Sequence, residues 1–368
     1  MTALRTENPP LYVTRPSCAP FDEYSALLKD LFDRAVLTNH GPLVQQLEAE
    51  LQARLGVSHC IAVTNGTVAL QMAIRALGLR GEIVTTPFSW VASCTAIQWE
   101  HCAPVFCDID ARTFNIDPAR IEDCITERTS AILAVHCFSA PCDVHAICAI
   151  ARRRNLKVIY DGAHANFVRY HGQSLLAYGD VSATSFHATK IFNTGEGGGC
   201  TTEDVALADR LRRIRYFGHE EWRGIVDDGW NGKMSEIHAA LGLANLRHLD
   251  QWLSLRRTKH ARYCEQLSAL PFLRFQCFDP DAYNYGYMPV VFETEAIRGR
   301  VESQLKAHGV FPRRYFYPSL NRSPVFAATA ARMPIAEQVA DCILCLPMFP
   351  DIRDDQIDNV CNIIGTAA

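Results

Sequence analysis

Between about residue 44 and residue 180 short apolar runs alternate with amphipathic stretches, and this alternation constrains the fold more than any other feature. "LVQQLEAELQARLG" has apolar residues at helical spacing and stops on Gly56, a residue suited to the left-handed helix end. "HCIAVTNG" then reads as a strand entering a turn, and "TVALQMAIRALGL" as a helix. The pattern repeats through "GEIVTTP" (strand), "SWVASCTAIQWE" (helix), "APVFCDID" (strand) and "DPARIEDCI", a helix opening near Pro118. "SAILAVHCF" (strand), "DVHAICAIARRRN" (helix) and "LKVIYDG" (strand) complete it. The strand runs are apolar on consecutive residues, as expected for strands covered on both faces. The expected fold class is therefore α/β, a mostly parallel central sheet flanked by helices.

After Gly199 the pattern changes. A charged helix, "DVALADRLRRIRYFG", leads into the irregular "HEEWRGIVDDGWNGK", and one long helical stretch is predicted from about Ser235 to Leu267. Strands such as "GYMPVVFE" then mix with helices, "AIRGRVESQLKAHG" and "RMPIAEQVADCILC". This divides the chain into a large domain, 1–254 with its N-terminal segment, and a smaller C-terminal α+β domain, 255–368.

A chain of 368 residues with net charge -4 leaves no electrostatic footprint for nucleic acid or an anionic membrane surface. The opening "MTALRTENPPLYVTRP" lacks the apolar run of a signal peptide, and no stretch is long enough to span a bilayer, so a cytoplasmic location is expected. The 15 cysteines are scattered through apolar runs, and the C-x-x-C pair Cys342 and Cys345 has no second pair at zinc-site spacing. They are expected to be buried, reduced thiols, with no metal bound.

Three features at predicted strand ends carry chemistry. "TNGTVAL" places Gly66 and Thr67 where a strand turns into a helix, whose free N–H groups and dipole suit a phosphate. "LKVIYDGAHA" ends a strand on Asp161, with His164 following; by itself Asp161 reads first as the cap of a short helix. "SATSFHATKIFNTGEGGG" sets Lys190 among small residues, beside Ser185 and a glycine run. A phosphate seat, a carboxylate able to keep a pyridine nitrogen protonated and an amine able to bond reversibly to an aldehyde are three requirements of pyridoxal 5'-phosphate chemistry. The glycines are expected to let the backbone crowd the cofactor.

"SFHATKIFNTGEGGG", "YDGAHA", "NGTVAL", "TTPFSWVAS" and "GWNGKMSEIHAALG", in that chain order, resemble the DegT/DnrJ/EryC1/StrS family of nucleotide-sugar aminotransferases, over roughly residues 10 to 350. The resemblance implies a fold-type I enzyme acting as a homodimer. Lys190 would be the Schiff-base lysine and Asp161 the partner of the ring nitrogen, with His164 near the phenolic oxygen. Gly66, Thr67 and Ser185 would hold the phosphate, and Trp90 would stack on the ring. Asn231 would reach the phosphate of the neighbouring subunit. His187, His219 and Tyr317 fall in segments bordering the sugar site, while Arg313 and Arg314 would face a diphosphate, a donor carboxylate or solvent. "VTRP", "LTNHGP", "YFGHE", "NGKMSE" and "RRYFYPSL" resemble one branch most, which aminates C4 of dTDP-4-keto-6-deoxy-D-glucose with L-glutamate. A 3-keto sugar, a GDP- or UDP-sugar, or a non-catalytic cofactor-binding regulator are the alternatives, and the purpose would be deoxyamino sugar synthesis for O-antigen, lipopolysaccharide or a secondary metabolite. Family dehydratases carry histidine at the position of Lys190, which argues against that activity. Gly232 and Lys233, "AHANFV" and Phe138-Ser139-Ala140 depart from the family pattern and are expected to lie away from the catalytic core.

Overall fold

The computed structural model describes residues 9–220, 223–329 and 331–367, so Glu221 and Trp222 of the irregular segment lie outside the described residues. The alternating runs form a seven-stranded sheet. Its strands are β1 (His59–Val63), β2 (Glu82–Thr85), β3 (Ala103–Phe106), β4 (Thr129–Val135), β5 (Lys157–Asp161), β6 (Val181–Ser185) and β7 (Gly198–Thr202), in the spatial order β1-β7-β6-β5-β4-β2-β3. All pairings are parallel except those of β7, which runs antiparallel to both β1 and β6.

Side chains leave a strand alternately to its two faces, so a strand covered on both sides feeds two cores. In β4, Ile132 and Ala134 enter one core while Ala131, Leu133 and Val135 enter the other. Helices α2 (Pro42–Leu55), α5 (Val144–Arg154) and α7 (Glu236–Leu246) close the first with Leu47, Leu51, Ile147 and Leu243. Helices α3 (Gly66–Ala76) and α6 (Val205–Arg215) close the second with Leu70, Ile74, Leu211 and Ile214. Helix α1 (Phe21–Arg34) packs on α7, and α4 (Val91–Trp99) packs on α3.

The predicted stretch Ser235–Leu267 is two helices, α7 and α8 (Leu249–Leu267). The break falls where Asn245 is held by Asn193 and Ala19, and where His248 reaches Glu23 at 2.9 Å. "DPARIEDCI" makes one helical turn, Pro118–Ile121, and a 3-10 turn. A second sheet holds β8 (Leu273–Phe275), β9 (Pro289–Phe292) and β10 (Ile343–Cys345), all antiparallel neighbours. Helix α9 (Glu295–Ala307) and α11 (Asp354–Ala367) share its core with α8 through Val301, Ile357 and Tyr263. The predicted last helix divides into α10 (Pro334–Cys342) and strand β10, which puts Cys342 and Cys345 in different elements. All 15 cysteines are free, and only Cys18 and Cys277 are exposed. Among the described residues no helix is long and apolar enough to cross a membrane.

Candidate active site

The parallel strands direct their C-terminal ends to one edge of the sheet, where open α/β folds bind ligands. There a cavity of about 270 Å³ is lined by Gly66 and Thr67 after β1, Trp90 after β2, Asp161 at the end of β5 and Ser185 at the end of β6. His164, His187 and Lys190 line it too.

At its floor, Asn65 is extended and its side chain accepts the N–H of Val68 at 2.9 Å, starting α3. The first-turn N–H groups of Gly66 and Thr67 have no acceptor within the helix, and these residues face the cavity. Gly66 cannot carry a side chain without crowding, since a Cβ there would lie 3.0 Å from Cβ of Ser185. The glycine run has a different task from the one expected. Only Glu196 of residues 195–199 lines the cavity; a Cβ on Gly198 would lie 2.5 Å from the carbonyl carbon of Asn65 and 2.6 Å from the nitrogen of Gly66. Gly198 lets β7 press on the backbone of the turn at Asn65 and Gly66.

Asp161 is 7% exposed and followed by no helix, so it is no helix cap. Its Oδ1 accepts the N–H of Ala163 at 3.0 Å, and its Oδ2 accepts from the hydroxyl of Ser93 at 2.6 Å. Ser93 has one proton, so Ser89, 2.7 Å away, donates to Ser93 in turn. Both serines come from "SWVAS", one helical turn apart, a spacing that carried no signal in sequence.

Lys190 sits in the loop between β6 and β7, with its Nζ 3.2 Å from the hydroxyl of Tyr287. Burial lowers its pKa to about 8; the Asp161 carboxylate opposes this and the Arg313 guanidinium adds to it. Tyr287 comes from "YGYMPVV", two residues ahead of β9, and carries no signal in the sequence. The His164 ring packs against it at 4.4 Å and lies nearly parallel to Phe138. Nδ1 of His164 accepts the N–H of Phe138 at 3.2 Å, which places the ring proton on Nε2. Burial first, and the charge of Lys190 second, hold the His164 pKa well below its usual value, so the ring is neutral.

None of Phe138, Ser139, Ala140, Asn166, Gly232 and Lys233 lines the cavity, though several of them touch residues that do. Phe138 and Ser139 adopt left-handed backbone, φ 52° and 77°, to bring Phe138 onto His164. Asn166 of "AHANFV" donates to the carbonyl of Ser185 at 3.1 Å, and the carbonyl of Gly232 accepts from Thr64 beside the seat. Asn231, His219 and Tyr317 do not line the cavity of their own chain. Asn231 accepts from Lys233, whose ammonium lies 4.7 Å and 4.5 Å from the rings of Tyr216 and Phe217. His219 occupies a two-residue strand paired with Gly224–Ile225, and the exposed Tyr317 ring lies 3.2 Å under the Arg314 guanidinium. Arg314 reaches toward Glu295 and Asp341.

The sequence profile of the DegT/DnrJ/EryC1/StrS aminotransferase family matches residues 22–365. A dTDP-4-amino-4,6-dideoxy-D-glucose transaminase of Shigella dysenteriae is 38% identical over 360 residues, covering 96% of this chain and 98% of the relative. One of the same name from Escherichia coli is 36% identical over 369 residues, 96% of this chain and 97% of the relative. Among solved structures, that of DesI in the presence of its TDP-sugar product superposes with a TM-score of 0.91 at 35% identity, over 97% of this chain and 92% of that one. The chain belongs to the DegT/DnrJ/EryC1/StrS aminotransferase family.

Proposed function

We propose that the protein moves the amino group of L-glutamate, with pyridoxal phosphate as cofactor, onto C4 of dTDP-4-keto-6-deoxy-D-glucose, giving dTDP-4-amino-4,6-dideoxy-D-glucose. The observation that carries this reading is the convergence of a buried amine, a hydrogen-bonded carboxylate and a free amide seat in one cavity. The substrate follows the two relatives that match nearly the whole chain.

The residues present fit the cofactor. The N–H groups of Gly66 and Thr67 and the Ser185 hydroxyl would take its phosphate, in a cradle that a Cβ on Gly66 would crowd. Trp90 would cover its ring and Asp161 would face the ring nitrogen. When bound, pyridoxal phosphate supplies a reactive carbonyl and a conjugated ring that accepts the electron pair of a breaking C–H bond. Asp161 would keep a proton on that nitrogen by accepting its N–H, and the Ser89–Ser93 chain with the Ala163 N–H fixes the orientation of the carboxylate. Lys190, with a pKa of about 8, is balanced between amine and ammonium near pH 8 and holds about a tenth of the neutral amine at pH 7, which suits a group that must take up and return the proton at the reacting carbon. His164, neutral with its proton on Nε2, is a donor that adds no charge.

Glutamate leaves as 2-oxoglutarate, and the amine then replaces the C4 carbonyl oxygen of the sugar, which departs as water. We infer a homodimer in the cytoplasm. Asn231 and His219 lie outside their own cavity beside the exposed Tyr216, Phe217 and Ile225, a surface suited to completing a partner's site. The test is an amino-transfer assay with L-glutamate and the 4-keto and 3-keto sugars offered separately. Amination at C4, lost in Lys190→Ala, supports the reading; amination of the 3-keto sugar alone refutes the substrate.

A further inference from the structure

Lys190 has to bond to the cofactor at one stage and, detached from it, move a proton at another. Its four-carbon stem is flexible, so a detached amine stays near the reacting carbon only if something holds it there. Among the described residues the one hydrogen bond of its Nζ is to the hydroxyl of Tyr287, at 3.2 Å. The segment carrying that tyrosine is fitted closely to the lysine loop. A Cβ on Gly286 would lie 3.0 Å from Cγ2 of Ile191, the residue after Lys190, so a side chain there would push the two segments apart. Asn284 accepts the Gly286 N–H at 3.0 Å and donates to the carbonyls of His164 at 2.7 Å and Asn166 at 3.0 Å, which ties Tyr287 to the loop after β5. From α8 the buried Arg256 donates to the carbonyls of Gly286 at 3.4 Å and Met348 at 3.2 Å. The Tyr287 ring is wedged between His164, Phe138 and Tyr315, with centroids 4.4 Å, 5.4 Å and 5.5 Å away. These contacts fix the backbone and the ring, and leave the hydroxyl to Lys190.

We propose that Tyr287 is a positioning residue, which holds the detached Lys190 amine beside the reacting carbon in both of its protonation states. This rests on the aminotransferase reading above. Burial holds the phenol pKa well above its usual value, so the hydroxyl keeps its proton. A phenol accepts from an ammonium through its oxygen and donates its proton to a neutral amine. One contact therefore survives each time Lys190 takes up the proton or gives it back. A carboxylate in that place would favour the ammonium and oppose release of its proton. His164, close by, has its Nδ1 engaged with the N–H of Phe138 and is left only a donor, so it can serve the neutral amine alone. The hydroxyl is the group that serves both.

The test compares the parent with Tyr287→Phe, which keeps the ring and removes the hydroxyl. In the apoprotein, acylation of Lys190 read by mass spectrometry gives the midpoint of its titration with neither cofactor nor donor present. A hydrogen bond to an ammonium is stronger than one to a neutral amine, so its loss should lower that midpoint by about half to one pH unit. Asp161, His164, His187, Glu196, Arg313 and Tyr315, the other titratable groups lining the cavity, are the same in both proteins. In the holoenzyme, single-turnover absorbance with L-glutamate should slow by about 10- to 100-fold, as for a misplaced catalytic group. Glutamate deuterated at the α carbon should show an isotope effect at least as large as the parent's, because the proton step is the one impaired. Melting temperature and affinity for pyridoxal phosphate should match the parent's. An unshifted midpoint, a rate within twofold of the parent, or a slowed rate with a smaller isotope effect overturns the inference. So does a fall in melting temperature or cofactor affinity, which would make Tyr287 part of the frame. A parent holoenzyme that does not react with L-glutamate refutes the aminotransferase reading instead; the acylation arm tests the bond between Tyr287 and Lys190 apart from it.

Discussion

Replacing Gly198 by alanine should damage cofactor binding from a position that does not line the cavity. The new Cβ would sit 2.5 Å, 2.6 Å and 2.7 Å from Asn65 C, Gly66 N and Asn65 O, all backbone atoms. Ordinary contact begins near about 3.4 Å, so strand and turn must part by nearly 1 Å. The turn has little slack. Asn65 caps Val68, its carbonyl accepts the Ala69 N–H at 3.1 Å, and Thr64 donates to Gly232 at 3.0 Å. β7 is held in register on both sides, Gly198 opposite Val63 and Ser185. A shift of that size takes an N–H out of hydrogen-bonding range of a phosphate oxygen. Two charge-assisted bonds at about 1.5–3 kcal/mol each correspond to cofactor binding weaker by roughly 10²- to 10⁴-fold. The strain adds about 1–3 kcal/mol of destabilisation. Fluorescence titration of the apoprotein with pyridoxal phosphate and calorimetric melting measure the two effects. Gly299→Ala, on α9 with open space at its Cβ, is the control and should bind the cofactor like the parent. A melting loss without an affinity loss refutes the assignment of the seat; neither loss refutes the steric argument.

Lys190 of the apoprotein should react with an acylating reagent at a rate that rises through pH 8 and then levels, because only the neutral amine is nucleophilic and burial lowers its pKa to about 8; mass spectrometry of labelled peptides would contradict this if Lys190 titrated above pH 10 like a surface lysine. Ser93→Ala removes the 2.6 Å donor to Asp161 and should slow turnover by about 10- to 100-fold, and steady-state rates within twofold of the parent would show that Asp161 needs no such support. Mixing Lys190→Ala with Asn231→Ala subunits should regenerate about a quarter of parental activity, as half the dimers are mixed and each has one intact site; no recovery after verified subunit exchange would place Asn231 outside the partner's site.

The parallel strands were legible because each is a continuous apolar run bounded by turn residues, and residues at their ends could be placed on one edge. β7 was not. "GGCTT" has no strand signature, and its conformation comes from pairing with β6 just before it and with β1, far away in sequence. The break between α7 and α8 contains neither glycine nor proline, and Asn245 and His248 impose it through contacts to residues near 19, 23 and 193. "CILC" suits a helix and a buried strand equally, and pairing with β9 decides. In the site, Gly66, Asp161 and Lys190 announce themselves at strand ends or beside glycine. Tyr287 and Ser93 do not, since each matters only through a partner that the fold brings from elsewhere.

The lone antiparallel strand also fixes the order in which the protein can be built. β1 is an edge strand whose partner in the sheet is β7, with Val63 opposite Gly198. A chain emerging from the ribosome therefore carries "HCIAV" without its sheet neighbour until β7 has been made. Both the loop bearing Lys190 and the clamp on the phosphate seat close in that same late event. Such distant pairings form slowly. Competence to hold the cofactor is thus a property of the finished sheet, and its arrival during refolding dates the closing of β7 between β1 and β6.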